Sequence, residues 1–352
     1  RNCYDVLYKC SKYRRGAIKM KTKKSMLGKI WSRYNYVFVF LVIFLVYALS
    51  SNGLTWNGVM NIFRHSAVVG IIALGMGLVC LTGEIDLSVG SMLAVVIFNM
   101  TDNIFITLLF TIVFGAICGL INGVLVGAVE MPAFIVTLAT MLIYRSVAQY
   151  ACQHISKELC GGGSSVYRMT SSHTSYQALY QFGNGKFFTI PVVGLILLIM
   201  TALIVYISTS TKFGKKVYAI GSNEKGAKMS GINVSEMKVV VFVLAGVMTG
   251  IAAFLWIAMN GSSDPATTGK SYEMYAIAAV VLGGISMSGG KGRCLGILFG
   301  AMSYTIIDKI IVALKMDSLI NDAIKGTILI IVILIQLAGP KVKELVTSRR
   351  KN

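Results

Sequence analysis

Charge is what this chain has least of. Asp, Glu, Lys and Arg make up 13% of its 352 residues, about half the ~25% of a soluble globular domain. That scarcity excludes an ordinary cytosolic enzyme, a secreted domain and a disordered chain. Proline is also rare, at 4 residues against 36 Gly, a balance that suits close-packed membrane helices. The three His (His65, His154 and His173) are dispersed near loops, and no pair of the seven Cys has metal-ligand spacing. No metal site, nucleophile or acid–base constellation stands out, so the chain is read as non-catalytic. No cleavable signal peptide is visible, because the first apolar run, near Tyr36, is long enough to be a retained anchor.

What is abundant is apolar: 55% of the residues. Val37–Phe63, Asn103–Val129, Phe187–Thr211 and Val239–Ser263 each run for 25 residues or more without a charge. One charge at the centre of a membrane helix costs ~2.5–3.5 kcal/mol, whereas a leucine contributes only ~0.3–0.6. The expected fold is therefore an all-α polytopic membrane protein of about ten transmembrane helices, with Gly-rich broken or re-entrant segments. The spans are expected near 36–51, 66–82, 87–101, 104–127, 134–150, 188–208, 239–259, 274–290, 294–313 and 319–338. Residues 1–35 and 339–352 then form basic cytoplasmic tails around a transmembrane domain at 36–338. Met20 opens a basic stretch that resembles a normal start, so residues 1–19 are expected to be translated upstream sequence.

The net charge of +19 is concentrated at the ends. Eleven Lys and Arg lie in residues 1–33 and five in residues 341–352. This reads as membrane orientation rather than a nucleic-acid groove. With the basic tails inside, loop 209–238 with its six Lys falls inside. Loop 151–187, with only Lys157, Arg168 and Lys186, falls outside. Cys152 and Cys160 share that outer loop, and either a disulfide or two free thiols fits.

Some motifs carry chemistry and others mislead. Asp264–Ser271 nearly matches a phosphate-binding loop, but Asp264 replaces its first Gly and no strand precedes it. Glu84 and Asp86, two residues apart, cannot share a helix face. Asp86 is suited to cap a helix from Leu87, and with Ser88 and Ser91 such a helix end would present donors to a polar solute. Asn122 suits an interhelical bond, and Thr137 and Thr140 suit bonds to their own i−4 carbonyls; each could also line a solute path. Glu273 heads a span between Tyr272 and Tyr275, which fits an interfacial acid as well as a gating one. Glu224–Met229, between Gly221 and Gly231, is a fair short helix in a polar, basic loop. Thr82–Ser91 and Leu282–Lys291 share four identities in ten positions at an offset of 200, too few to establish a repeat.

Five of these stretches resemble, in order, the membrane permease subunits of bacterial ABC importers for monosaccharides, the ribose, xylose and galactose group. They are TGEIDLSVGSMLA at 82–94, LINGVLVG at 120–127, PAFIVTLATM at 132–141, YAIGSNEKGAKMSGINV at 218–234 and SYEMYAIAAVVLGGISMSGGKGR at 271–293. The resemblance implies a subunit without a catalytic site or cofactor of its own, in the bacterial plasma membrane with both termini cytoplasmic. It also implies a homodimer with a second permease copy. A cytoplasmic ABC ATPase that binds ATP and Mg and an extracytoplasmic solute-binding protein complete the system, with no nucleic-acid partner. Gly221, Asn223, Glu224, Ala227 and Gly231 would be the ATPase-coupling residues. Asp86, Ser88, Asn122, Thr137, Thr140 and Glu273 would be the substrate-path set. The family motif commonly has Gly where Glu84 stands, and E-L-D-A-I-A-A where Glu273-Met-Tyr275-Ala-Ile-Ala-Ala stands. These departures leave open a nucleoside, a branched-chain amino acid or a sugar-derived signal as solute. An autonomous secondary transporter is the other alternative.

Overall fold

The computed structural model describes residues 26–50, 55–86, 94–155, 159, 166–264, 267–314, 323–328, 330, 331 and 334, with backbone alone for 26–35 and Cys152. Ser88, Ser91, the helix expected to start at Leu87, Cys160 and the Cys152 side chain lie outside this description.

Twelve helices carry the described fold: α1 Met26–Ser50, α2 Trp56–Thr82, α3 Ala94–Thr101, α4 Ile104–Gly127, α5 Ala133–His154, α6 Tyr176–Asn184, α7 Val192–Ser210, α8 Lys212–Ser222, α9 Glu224–Met229, α10 Val234–Asn260, α11 Tyr272–Leu282 and α12 Cys294–Ala313. Two two-residue antiparallel pairs depart from the all-helical expectation, β1 (Tyr167–Arg168) with β4 (Ser262–Ser263) and β2 (Lys186–Phe187) with β3 (Ile190–Pro191). Among the described residues, six helices are long and apolar enough to cross a membrane (α2, α4, the Ala133–Ala151 part of α5, α7, α10 and α12). Two shorter apolar helices, Tyr36–Ser50 within α1 and α11, accompany them. Several boundaries move. The span expected from 66 begins at Trp56, where Thr55 caps the first turn by accepting from Gly58 N. The span expected to run to 290 stops at Leu282, because Gly284, Gly289, Gly290 and Gly292 have positive φ and turn the chain instead.

Burial sorts the helices. From Ser66 to Thr82, α2 is buried at every position, as befits a helix apolar on all sides that sits at the centre. By contrast, α4 and α5 leave Phe105, Leu109, Leu142 and Ile143 exposed, as lipid-facing or partner-facing helices do. The tightest seam joins α4 to α10. Gly115, Gly119, Gly123 and Gly127 recur every fourth residue and face Gly246, Phe242, Val239 and Ser235. A Cβ at Gly115 would fall inside the van der Waals radius of the Gly246 carbonyl oxygen, and one at Gly119 would strike that of Phe242. Without a hydrophobic drive between helices in lipid, such small-residue faces let backbones approach and gain dispersion energy.

The helices alternate between two ends of the bundle. One, named the coupling end after the candidate coupling residues it carries, gathers Gly83–Asp86, the α4–α5 turn, α8, α9 and the 283–293 loop. The other, the far end, gathers the α3–α4 elbow, segment 166–191 and the residues after α10.

Candidate functional site

The coupling end is built around the exit of α2. That helix closes on Gly83 at φ 90°, whose N–H donates to Cys80 O, while Glu84 N donates to Val79 O. A left-handed closing residue is easy for Gly and costly for others. The next carbonyl partners tie this exit to two other segments. Gly290 N donates to Leu81 O at 3.0 Å, and Thr137 Oγ1 lies 3.4 Å from Ile85 O. On the other side α8 arrives so closely that a Cβ on Gly221 would collide with Leu81 O. Tyr218 holds α8 to the 283–293 loop by donating to Gly292 O at 3.0 Å; burial, then the nearby Cys294, pushes its phenol up from its ordinary pKa.

The short helix α9 has the bounds expected from the sequence. Asn223 caps it, its side chain accepting from Gly226 N at 2.9 Å, and Ala227 is buried beneath it. Gly231 ends the segment at φ 79° with open space around its Cβ position. Of the five coupling candidates, Gly221 is thus the one in tight backbone contact with the rest of the bundle, while Asn223 and Ala227 shape α9 and Glu224 faces outward.

Between α9, the start of α10 and the α4–α5 turn lies a cavity of about 670 Å³, lined among others by Glu84, Glu130, Glu224, Lys225, Lys228 and Lys238. Lys238 Nζ sits 2.8 Å from Glu84 Oε1 and 3.3 Å from Glu224 Oε1. Lys228 reaches Glu130 at 3.7 Å across the mouth. Sequence reading missed this triad, because Glu84 and Lys238 are 154 positions apart and neither spacing nor a motif links them.

The substrate-path candidates do not form one site. Asp86, Asn122, Thr137 and Thr140 are all buried. Asp86 lies in electrostatic reach of Cys118 and Tyr144, on α4 and α5, so it approaches the helices that carry Asn122 and Thr137. The Thr hydroxyls make the local bonds expected of them, Thr137 to Ala133 O at 2.8 Å and Thr140 to Val136 O at 3.0 Å. Glu273, in the first turn of α11, lies instead at the far end, in reach of Arg145 in the second half of α5.

A second missed feature is an ion pair between apolar segments. Lys325 Nζ lies 2.5 Å from Asp308 Oδ1, 4.6 Å from the Tyr275 ring centre and 5.4 Å from that of Tyr304. Its signal was present in the sequence as charges inside two expected spans, Asp308 with Lys309 in one and Asp322 with Lys325 in the other.

The far end is fastened differently. Asp102 accepts from Thr174 N and Oγ1 and from Ser175 N at 2.8–3.0 Å, and Ser175 Oγ donates to Asp102 O. Asn99 donates to Leu159 O and Arg168 O and accepts from Thr170 N. Desolvation raises the Asp102 pKa, but the Thr174 hydroxyl, the Ser175 and Thr174 N–H groups and His173 outweigh it and hold the carboxyl below its usual value.

Comparison with known proteins follows this geometry. The model of a family described as branched-chain amino acid transport system / permease component matches residues 58–333. The chain is 36% identical over 304 residues to the ribose import permease protein RbsC of Bacillus subtilis, covering 84% of this chain and 90% of that one. It is 33% identical to the ribose import permease protein RbsC of Escherichia coli K12, covering 87% and 94%. To the autoinducer 2 import system permease protein LsrC of Salmonella paratyphi B it is 32% identical, covering 80% and 79%. No solved structure matches.

Proposed function

The chain belongs to the branched-chain amino acid transport system / permease component family, and from that premise we propose that it is the permease subunit of an ATP-driven importer for a monosaccharide of the ribose type. It is a multi-pass membrane protein and a permease. The sugar is favoured over an amino acid because the relatives named above, matched over most of their length, are ribose and autoinducer permeases. In this reading the coupling end faces the cytoplasm of a bacterial plasma membrane, both basic tails lie on that side, and the far end receives an extracytoplasmic binding protein. Two copies of the 36–338 domain enclose the path, and a separate ATPase that binds ATP and Mg docks on α9. The chain itself supplies no catalytic group.

The observation that carries this reading is the placement of α9. A capped, outward-facing helix stands beside a charged cavity, and α8, which leads into it, abuts the α2 exit at Gly221 and Leu81. Movement imposed on α9 would reach buried Asp86 through that contact. The lysines of 212–238 gather on the same side, in keeping with the excess of positive charge on cytoplasmic loops. Transport then follows as a population shift, because loaded binding protein and ATP each favour a different access state.

The test is uptake of labelled pentoses and hexoses into vesicles holding the chain, with and without its ATPase and binding protein. Uptake that requires both partners and ATP is expected. Sugar uptake by the chain alone would establish a secondary transporter, and a binding protein that captures only branched-chain amino acids would replace the solute.

A further inference from the structure

We propose that Lys238 is a positioning residue that couples α9 to the exit of α2, with Glu84 as its acceptor on the path side and Glu224 as its acceptor on the ATPase side. The inference rests on the importer reading and adds to it a route for the motion.

The geometry is specific. Lys238 stands in the second turn of α10, its side chain only 11% exposed, with Glu84 Oε1 at 2.8 Å and Glu224 Oε1 at 3.3 Å. Its three N–H donors therefore serve two carboxylates that belong to different moving parts. Glu84 is one residue past the closing Gly83 and two before buried Asp86. Glu224 is the first residue of α9. The α10 backbone beneath Lys238 is fixed, because Val239 meets Gly123, and Ser235 Oγ donates to Gly127 O at 2.6 Å. A cation on a fixed helix thus holds one acid from the solute path and one from the docking helix.

The two bonds differ in exposure, and that sets their roles. Glu84 is 21% exposed and Glu224 52%, so water competes more for the Glu224 bond. A partner that draws Glu224 away leaves Lys238 with Glu84 alone. Glu84 then has the Lys238 cation to itself, and the 83–86 backbone is pulled more strongly toward α10. Glu84, the residue that departs from the family motif, thereby gains a function: it makes the path segment responsive to the state of α9. The steric contact at Gly221 and Leu81 transmits push, and the ion triad transmits release.

The experiment uses the complete reconstituted importer with wild type, E84Q, K238M, E84D and K238E, plus the charge-swapped pair E84K/K238E. Uptake, ATP hydrolysis and ATPase co-purification are measured together. Wild type must first show ATP-dependent uptake; if it shows none, the importer reading fails and not this inference. The expected result is a fall in solute moved per ATP of about 2- to 30-fold for E84Q and K238M, the span found for residues on coupling networks. ATPase co-purification stays intact in E84Q and K238M, E84D stays near wild type, and the charge-swapped pair recovers relative to K238E alone. Wild-type transport per ATP in E84Q, or loss of ATPase binding in E84Q, would overturn the role assigned to Glu84. A charge-swapped pair no better than K238E would overturn the Glu84–Lys238 bond on which the inference stands.

Discussion

The two ends of the bundle are held together by different means. At the far end, Asn99 and Asp102 grip Leu159 and segment 168–175 through a dense set of hydrogen bonds, most of them to backbone groups. At the coupling end, ion pairs spread over a cavity mouth do that work, beside backbone contacts through Gly221 and Gly290. Many short bonds to fixed backbone make a clamp with one geometry. Partly exposed ion pairs are individually weak, ~0–1 kcal/mol when solvated, and can exchange partners without unfolding anything. In the importer proposed above, the static junction is the one assigned to the binding protein and the adjustable one is that assigned to the ATPase.

The contrast can be broken most severely at Gly221. Replacing it with Leu puts a side chain into the Leu81 carbonyl, so loss of folded, detergent-stable protein is expected, with a cost at or above the ~1–3 kcal/mol of ordinary overpacking. Size-exclusion profiles and the melting temperature in detergent check this. Gly231→Trp should be milder than Gly221→Leu, because nothing lies near its Cβ and only the positive φ resists it; the variant should insert normally while transport falls. Next in size, Gly119→Leu should pry α4 from α10 and lower the melting temperature, whereas Leu120→Ala on the exposed face should leave it near wild type. Asp86→Ala should harm uptake more than Glu84→Gly, since Asp86 is the more buried of the two and Glu84 retains only an ionic role; the reverse order would move the centre of the path to Glu84.

The smallest effect belongs to the far clamp. The Asp102 carboxyl titrates below its unfolded value, so its stabilising bonds are complete above the ordinary Asp pKa and are lost as pH falls through the folded one. Asp102→Asn should therefore lower stability modestly at neutral pH and converge on wild type in acid, which flattens the acid limb of a stability–pH curve. Thermal shifts followed from neutral buffer down to below the ordinary Asp pKa would show it; an acid limb unchanged from wild type would separate Asp102 from acid stability.

Much of this architecture was legible because membrane insertion writes itself in composition. Uncharged stretches became α4, α7 and α10, and Glu224–Met229 emerged as a helix because Asn223 precedes it and Gly231 follows it. The Gly-rich stretch after Leu282 misled the boundary, since apolar content alone does not register positive φ at Gly284 and Gly289. The site was less legible. Thr137 and Thr140 make the bonds to their own i−4 carbonyls that the sequence suggested, and residue type alone does not distinguish that role from a path lining. Glu84 with Lys238 and Asp308 with Lys325 are pairs made by tertiary proximity between distant segments, which periodicity within one helix cannot reveal.

The sidedness of the two ends underlies every functional statement above. Single cysteines placed at Lys225 and at Lys186, in an otherwise cysteine-free chain that still transports, can be challenged in intact cells with a membrane-impermeant maleimide. The account predicts labelling of the Lys186 position at once and of the Lys225 position only after the membrane is opened. Labelling of the Lys225 position in intact cells would put α9 outside, beyond the reach of any cytoplasmic ATPase, and would contradict the account.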